Sequence, residues 1–109
     1  TQVRLWIKSW KDGDLDAFLK CYHPEFAFKN MNLQEFMAYK RTVVEKNPNR
    51  RITATELHIK VAPPRAEASF VQDYKSDTYS DYGLKTLVFQ KYKDQWLIRE
   101  EGWRALPRK

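Results

Sequence analysis

Cysteine is nearly absent from this chain. Cys21 stands alone among 109 residues, so no internal disulfide can form and no cysteine-based metal site can be assembled. Glycine is scarce as well. Gly13, Gly83 and Gly102 are the only three, which leaves no glycine-rich phosphate loop and no Gly-x-Ser-x-Gly elbow. His23 and His58 have no Cys, Asp or second His at ligand spacing, so neither a metal nor a cofactor is expected. No apolar run approaches the ~20 residues of a membrane span, and no signal peptide precedes the first helical pattern. Membrane insertion is therefore not expected. Repeats, linkers and low-complexity tracts are missing too.

What is present is a core's worth of apolar residues at a common domain size. Apolar types make up 42% and aromatics 15%, with four Trp among them, so disorder is excluded. The net charge of +6 favours acidic partners. The basic residues are nevertheless scattered among acids, apart from Asn49-Arg50-Arg51 and the tail from Arg104 to Lys109. Without zinc-finger spacing or an RNA-binding aromatic motif, nucleic acid is not an expected partner. Residues 1–109 read as one domain. Because the chain starts at Thr1, already inside a helical pattern, it reads as a piece excised from a longer protein.

Val3, Trp6, Ile7 and Trp10 recur at helical spacing up to Asp12-Gly13-Asp14. Asp14 can cap a second, short helix carrying Leu15, Phe18, Leu19 and Tyr22, which His23-Pro24 stops. Phe26-Ala27-Phe28 is a short strand candidate. Asn32 and Glu35 form a capping-box pair opening a third helix to about Lys46, closed by Asn47-Pro48. After Arg50 the period becomes two. Ile52 and Ala54, then Leu57, Ile59 and Val61, mark a long strand whose phase slips near Thr55-Glu56, so an irregularity is expected there. Pro63-Pro64 turns into a second strand, about Ala66 to Thr78. Ser80 to Gly83 is the expected next turn, Leu84 to Tyr92 the third strand, and Trp96 to Trp103 the fourth.

A second strand that long must coil or bulge, bending the sheet into a trough. The third strand is apolar on both faces, with Leu87 and Phe89 on one and Leu84 and Val88 on the other. Both faces are thus expected to be covered, one by helices and the other by a partner.

This order of elements resembles the nuclear transport factor 2-like superfamily, an α+β cone with three N-terminal helices packed in the concave face of a strongly curved antiparallel sheet. Trp6, Trp10, Asp14-Leu15-Asp16-Ala17-Phe18, Tyr22, Pro24 and Phe26 resemble its opening helix pair. The pieces Phe70-x-Gln-x-Tyr74-x-Ser76-Asp77, Lys85-Thr86-Leu87-Val88 and Trp96-Leu97-Ile98-x-Glu100-Glu101 look like one branch. That branch is the accessory domain of periplasmic L,D-transpeptidase-fold enzymes that trim or cross-link peptidoglycan, the cell-shape L,D-carboxypeptidases included. The resemblance implies a non-catalytic domain in the bacterial periplasm. Its implied partners are peptidoglycan stem peptides and a catalytic domain of the same polypeptide. A homodimer through the outer sheet face is a further expectation.

Alternation along the strands supplies the candidate ligand residues. With Phe70 facing the trough, Gln72, Tyr74 and Ser76 face it too; Lys85 shares a face with Leu87, and Glu100 shares one with Ile98. Such a pocket could grip a zwitterionic, peptide-like ligand: Lys for a carboxylate, Glu for an ammonium, Tyr and Ser for amides. Cross-strand ion pairing would be the purely structural use of the same residues. Tyr39 and Arg41 lie on the third helix, which can line the open end, and Tyr22 carries a hydroxyl in need of a polar partner. An acid–base enzyme of the ketosteroid isomerase or polyketide cyclase type is the alternative. It would use Asp77 with Tyr74, brought inward by a bulge, or Glu100 as a base with a raised pKa. A purely structural dimerisation module is the second alternative.

Overall fold

A computed structural model describes residues 2–47, 49–77 and 79–107. Helix α1 (Gln2–Asp12) places Val3, Trp6 and Trp10 in the core, one stripe at three- and four-residue spacing. Asp14 caps α2 (Leu15–Leu19) by accepting the Ala17 N–H at 3.1 Å. A small hairpin, β1 (Ala27–Phe28) and β2 (Met31–Asn32), leads into α3 (Leu33–Lys46). The Asn32–Glu35 capping box is complete: Glu35 N–H donates to Asn32 Oδ1 at 2.9 Å and Asn32 N–H to Glu35 Oε1 at 3.0 Å. Asn32→Ala is expected to cost about 1 kcal/mol, read from the urea midpoint at constant m-value. An unchanged midpoint would mean that packing of Phe36 alone fixes the helix start.

Four long strands, β3 (Arg51–Ala62), β4 (Arg65–Lys75), β5 (Ser80–Tyr92) and β6 (Gln95–Ala105), form an antiparallel sheet in sequential order. The expected α+β cone is present, with the helices on one face of the sheet. Phe18, Phe26, Phe36, Phe70, Leu87 and Ile98 are fully buried between the layers. On the other face Leu84 and Val88 are half-buried.

The strands differ from the expected limits in two places. β4 ends at Lys75, and Ser80–Gly83 belongs to β5 instead of a turn. Between the two strands, Ser76 N–H donates to the Tyr79 carbonyl at 2.7 Å. Thr78, the expected end of the second strand, lies outside the described residues, as do Pro48 and the tail residues Arg108 and Lys109.

Two bulges set the side-chain phase. The register shifts between Thr55 and His58 of β3, with Glu56 at φ +56°, where the phase slip predicts it. A second shift pairs Val88 with Glu100 but Phe89 with Ile98, which leaves Arg99 as an extra residue. A bulge of this kind reverses the alternation beyond it.

Candidate functional site

The Arg99 bulge decides which acid enters the core. Unbroken alternation would turn Glu100 inward with Ile98. Instead Glu100 is exposed on the outer face, and Glu101, opposite Leu87, takes the interior place. Glu100 is therefore neither a ligand group in the cavity nor a base there. The Glu101 carboxylate accepts from Lys85 Nζ at 2.6 Å and from the Tyr22 hydroxyl, whose oxygen accepts from Trp6 Nε1 at 2.8 Å. Tyr22 reaches this position because its segment lies beside β6: Ile98 N–H donates to the Cys21 carbonyl at 2.7 Å and His23 N–H to the Ile98 carbonyl at 2.8 Å. The side chains of Lys85 and Glu101 are 9% and 1% exposed. Desolvating both charges is costly, and the added Tyr22 bond offsets part of that cost. Burial first, and then the Glu101 charge, pushes the Tyr22 phenol well above its ordinary range, so it remains a donor.

Next to this network opens a cavity of about 340 Å³. Trp10 supplies one wall, α3 contributes Tyr39, Lys40 and Val43, β4 contributes Gln72 and Tyr74, and the start of β5 brings Tyr79 and Asp81. The Lys40 ammonium lies 4.4 Å from the Trp10 ring centroid, 5.3 Å from Phe36 and 5.9 Å from Tyr39. Among the described residues the ion pairs are Lys8–Asp12 and Lys85–Glu101, so Lys40 is held by aromatic faces and not by a carboxylate. Burial lowers its pKa to about 8; the charges of Glu101 and Asp81 oppose this, and that of Lys85 adds to it. Burial raises the Asp81 carboxyl from its ordinary value.

Two atoms in this cavity are conspicuous. Gln72 and Tyr74 are 8% and 6% exposed, and neither the Gln72 Oε1 nor the Tyr74 hydroxyl meets a hydrogen-bond partner among the described residues. Burying polar groups unmet costs free energy, so such atoms mark a place where a ligand or water belongs. The Tyr74 ring is fixed between Trp10, at 6.2 Å, and Tyr79, at 6.1 Å.

Arg50 stiffens the mouth. Its guanidinium donates to the carbonyls of Asn47 at 2.7 Å, Lys11 at 3.1 Å and Trp10 at 3.3 Å, tying together the ends of α1 and α3. Gly13 makes room for it: its φ is +71°, and a Cβ there would sit 2.9 Å from Arg50 Nη2.

Of the sequence-predicted residues, Tyr39, Gln72 and Tyr74 line the cavity together. Lys85 and Tyr22 lie deeper, bonded to Glu101. Ser76 sits at the rim, where its hydroxyl donates to Asn47 Oδ1 at 3.1 Å. Arg41 does not join them. It lies in a shallow groove with Leu33 and Met37, because residues one apart on a helix point about 100° apart. Asp77 is exposed and accepts from Asn49 Nδ2 at 3.0 Å, so no bulge carries it inward. Cys21 is buried, and burial pushes its thiol up to about 11, as expected of a structural cysteine. Lys40, Asp81 and Glu101 are the site residues that sequence reasoning missed. For Lys40 the signal was its place four residues after Phe36 and three before Val43, inside the apolar stripe of α3.

No helix among the described residues is long and apolar enough to cross a membrane, and no group of three or more His, Cys, Asp or Glu residues among them could hold a metal. No curated protein sequence matches the chain. Residues 1–102 match the family described as the Cds6 C-terminal NTF2-like domain. Among solved structures, Bd1075 of Bdellovibrio bacteriovorus superposes with a TM-score of 0.92 at 23% identity, covering 98% of this chain and 39% of that one. The helical cell shape determining protein Pgp2 of Campylobacter jejuni gives 0.81 at 21% identity, covering 93% and 38%. An NTF2-like protein of unknown function from Pseudomonas putida gives 0.82 at 14% identity, covering 96% and 88%. The chain thus spans about two fifths of the length of Bd1075 and Pgp2.

Proposed function

The chain belongs to the family of Cds6 C-terminal NTF2-like domains, and from that premise we propose that it is a non-catalytic accessory domain of a periplasmic, peptidoglycan-tailoring enzyme of L,D-transpeptidase fold. Its task in that setting is to hold a peptide-like ligand in the cavity between α1, α3 and the β4–β5 end of the sheet. One observation carries the reading: the Gln72 Oε1 and Tyr74 hydroxyl, buried without a partner among the described residues, lie in one cavity with a cation, Lys40, and a carboxylate, Asp81. A zwitterionic peptide end meets each of these in kind. Its carboxylate pairs with Lys40, its ammonium with Asp81, and its amide groups with Gln72 and Tyr74, while Tyr39 and Tyr79 cover its apolar stem. The Lys85–Glu101 pair stands behind them as an internal support. The likeness to Pgp2, a helical cell shape determining protein, agrees with a role in the envelope. Assembly with a second copy or with a catalytic domain would use the half-buried outer face around Leu84 and Val88.

Titration of a soluble muropeptide into the isotope-labelled chain, followed by amide shifts, tests this. The resonances of Lys40, Gln72, Tyr74 and Asp81 are expected to move, and Lys40→Met to weaken binding at least tenfold, on the order of 1.4 kcal/mol. Shifts confined to other surfaces would reject the pocket. The raised pKa of Asp81 beside the Tyr74 hydroxyl also favours a second reading as an acid–base site. Turnover of an enolisable ketone that disappears in Asp81→Asn would decide for that reading.

A further inference from the structure

We infer that a second groove, at the β3–β4 end of the sheet, is an anion subsite that takes another carboxylate of a ligand lodged in the Lys40–Asp81 cavity. The inference rests on reading that cavity as a peptide site. The groove encloses about 590 Å³ between Asn49, Arg50, Arg51, Lys75, Ser76 and Asp77.

Its charge arrangement is unfavourable for folding alone. Arg51 and Lys75 are direct partners in the β3–β4 ladder and both are exposed, so two cations stand opposite each other on one sheet face. Like charges in that position repel. Neither enters an ion pair among the described residues. The one carboxylate in the groove, Asp77, accepts from Asn49 Nδ2 at 3.0 Å. Arg50 turns its guanidinium to backbone carbonyls, so it contributes charge without competing for an incoming anion. Arg50, Arg51 and Lys75 against Asp77 leave a local balance of three positive charges to one negative. Arg51 offers the planar fork that suits a carboxylate and Lys75 a point charge beside it.

The groove and the cavity meet at one hydrogen bond. Ser76 lines the groove, Asn47 lines the cavity, and the Ser76 hydroxyl donates to Asn47 Oδ1 at 3.1 Å. A peptide crossing that joint would have one carboxylate at Lys40 and a second at Arg51 and Lys75. The ligand class is thus a short peptide with two carboxylates, not a singly charged one.

Glutarate and its neutral diamide separate charge recognition from shape. Glutarate, added to the labelled protein, is expected to move the backbone amides of Arg51, Lys75 and Ser76, while glutaramide leaves them in place. The R51Q/K75Q double variant should lose at least tenfold in that response. An unmoved groove in the wild type, or an undiminished response in the variant, overturns the subsite. In a second arm, amidating the outer carboxylate of a two-carboxylate stem peptide should weaken binding to the wild type at least fivefold and leave binding to R51Q/K75Q unchanged. Equal weakening of both proteins would overturn the link between groove and cavity. A retained glutarate response with no peptide shift at Lys40 or Gln72 would support the subsite and reject the peptide reading of the cavity instead.

Discussion

Lys40→Met is expected to stabilise the fold at neutral pH while weakening retention of a carboxylate ligand at least tenfold. The ammonium is desolvated among Trp10, Phe36 and Tyr39, and its pKa falls from 10.5 to about 8. At about 1.36 kcal/mol per unit, keeping it charged in the fold costs on the order of 3 kcal/mol near pH 7. Lost cation–π contacts offset about 0.5–2 kcal/mol of that, and Met fills a similar volume. A net gain of about 1–2 kcal/mol should follow in chemical denaturation. The pH dependence has a definite sign. Below about 8 both folded and unfolded chains carry the proton, so the penalty is fully present. Between about 8 and 10.5 the folded chain has released the proton while the unfolded chain retains it, so wild-type stability rises with pH. The advantage of Lys40→Met should shrink over that window. Carboxylate affinity should run the other way, falling as pH rises through about 8. A variant no more stable than wild type at pH 7 would show that the rings and neighbouring acids fully compensate the buried charge.

Removing Glu101 should be the most damaging single change in the polar interior. Glu101→Ala strands the Lys85 ammonium beside Trp6 and Phe28, 5.8 and 5.9 Å from their ring centroids, and strips the Tyr22 hydroxyl of its acceptor. Breaking a buried pair from one side costs about 3–5 kcal/mol, enough to lower Tm by more than ~10 °C in a domain of this size. The pair itself is a different quantity. Lys85→Met combined with Glu101→Gln removes both charges and keeps an acceptor for Tyr22, so more than half of the loss should return. Glu100→Ala, one residue away and exposed, should stay within about 0.5 kcal/mol of wild type. If Glu100→Ala proved the costlier substitution, the assignment of the inward acid would be wrong.

The fold was legible wherever periodicity and punctuation agreed. Trp6 and Trp10 on α1, the Asn32–Glu35 box, the Thr55–Glu56 slip and the inward run Phe70-Gln72-Tyr74 each carry a local signal that tertiary structure preserves. The site was legible in part. Gln72, Tyr74 and Tyr39 follow from alternation and helix placement. Asp81 was lost because Ser80-Asp81-Tyr82-Gly83 has the composition of a turn, yet the β4 partners Lys75 to Gln72 hold it in the ladder. Lys40 was lost because charge on a helix is usually solvated, whereas here the apolar stripe of Phe36 and Val43 carries the ammonium inward over Trp10. Glu101 was lost to a bulge followed by Glu100, Glu101 and Gly102, which leave no apolar phase slip of the kind that marks Thr55–Glu56.

That bulge also bears on how members of the family should be compared. A single inserted residue, Arg99, determines which of two consecutive glutamates faces the interior. A relative without the insertion would keep the same buried acid only by carrying it one position earlier along the strand. Matching columns by sequence spacing would then equate an interior group with a solvated one. Superposition of the strand backbone, by contrast, would put the equivalent carboxylates on top of each other. For this strand, chemical equivalence follows the hydrogen-bond ladder and not the count of residues.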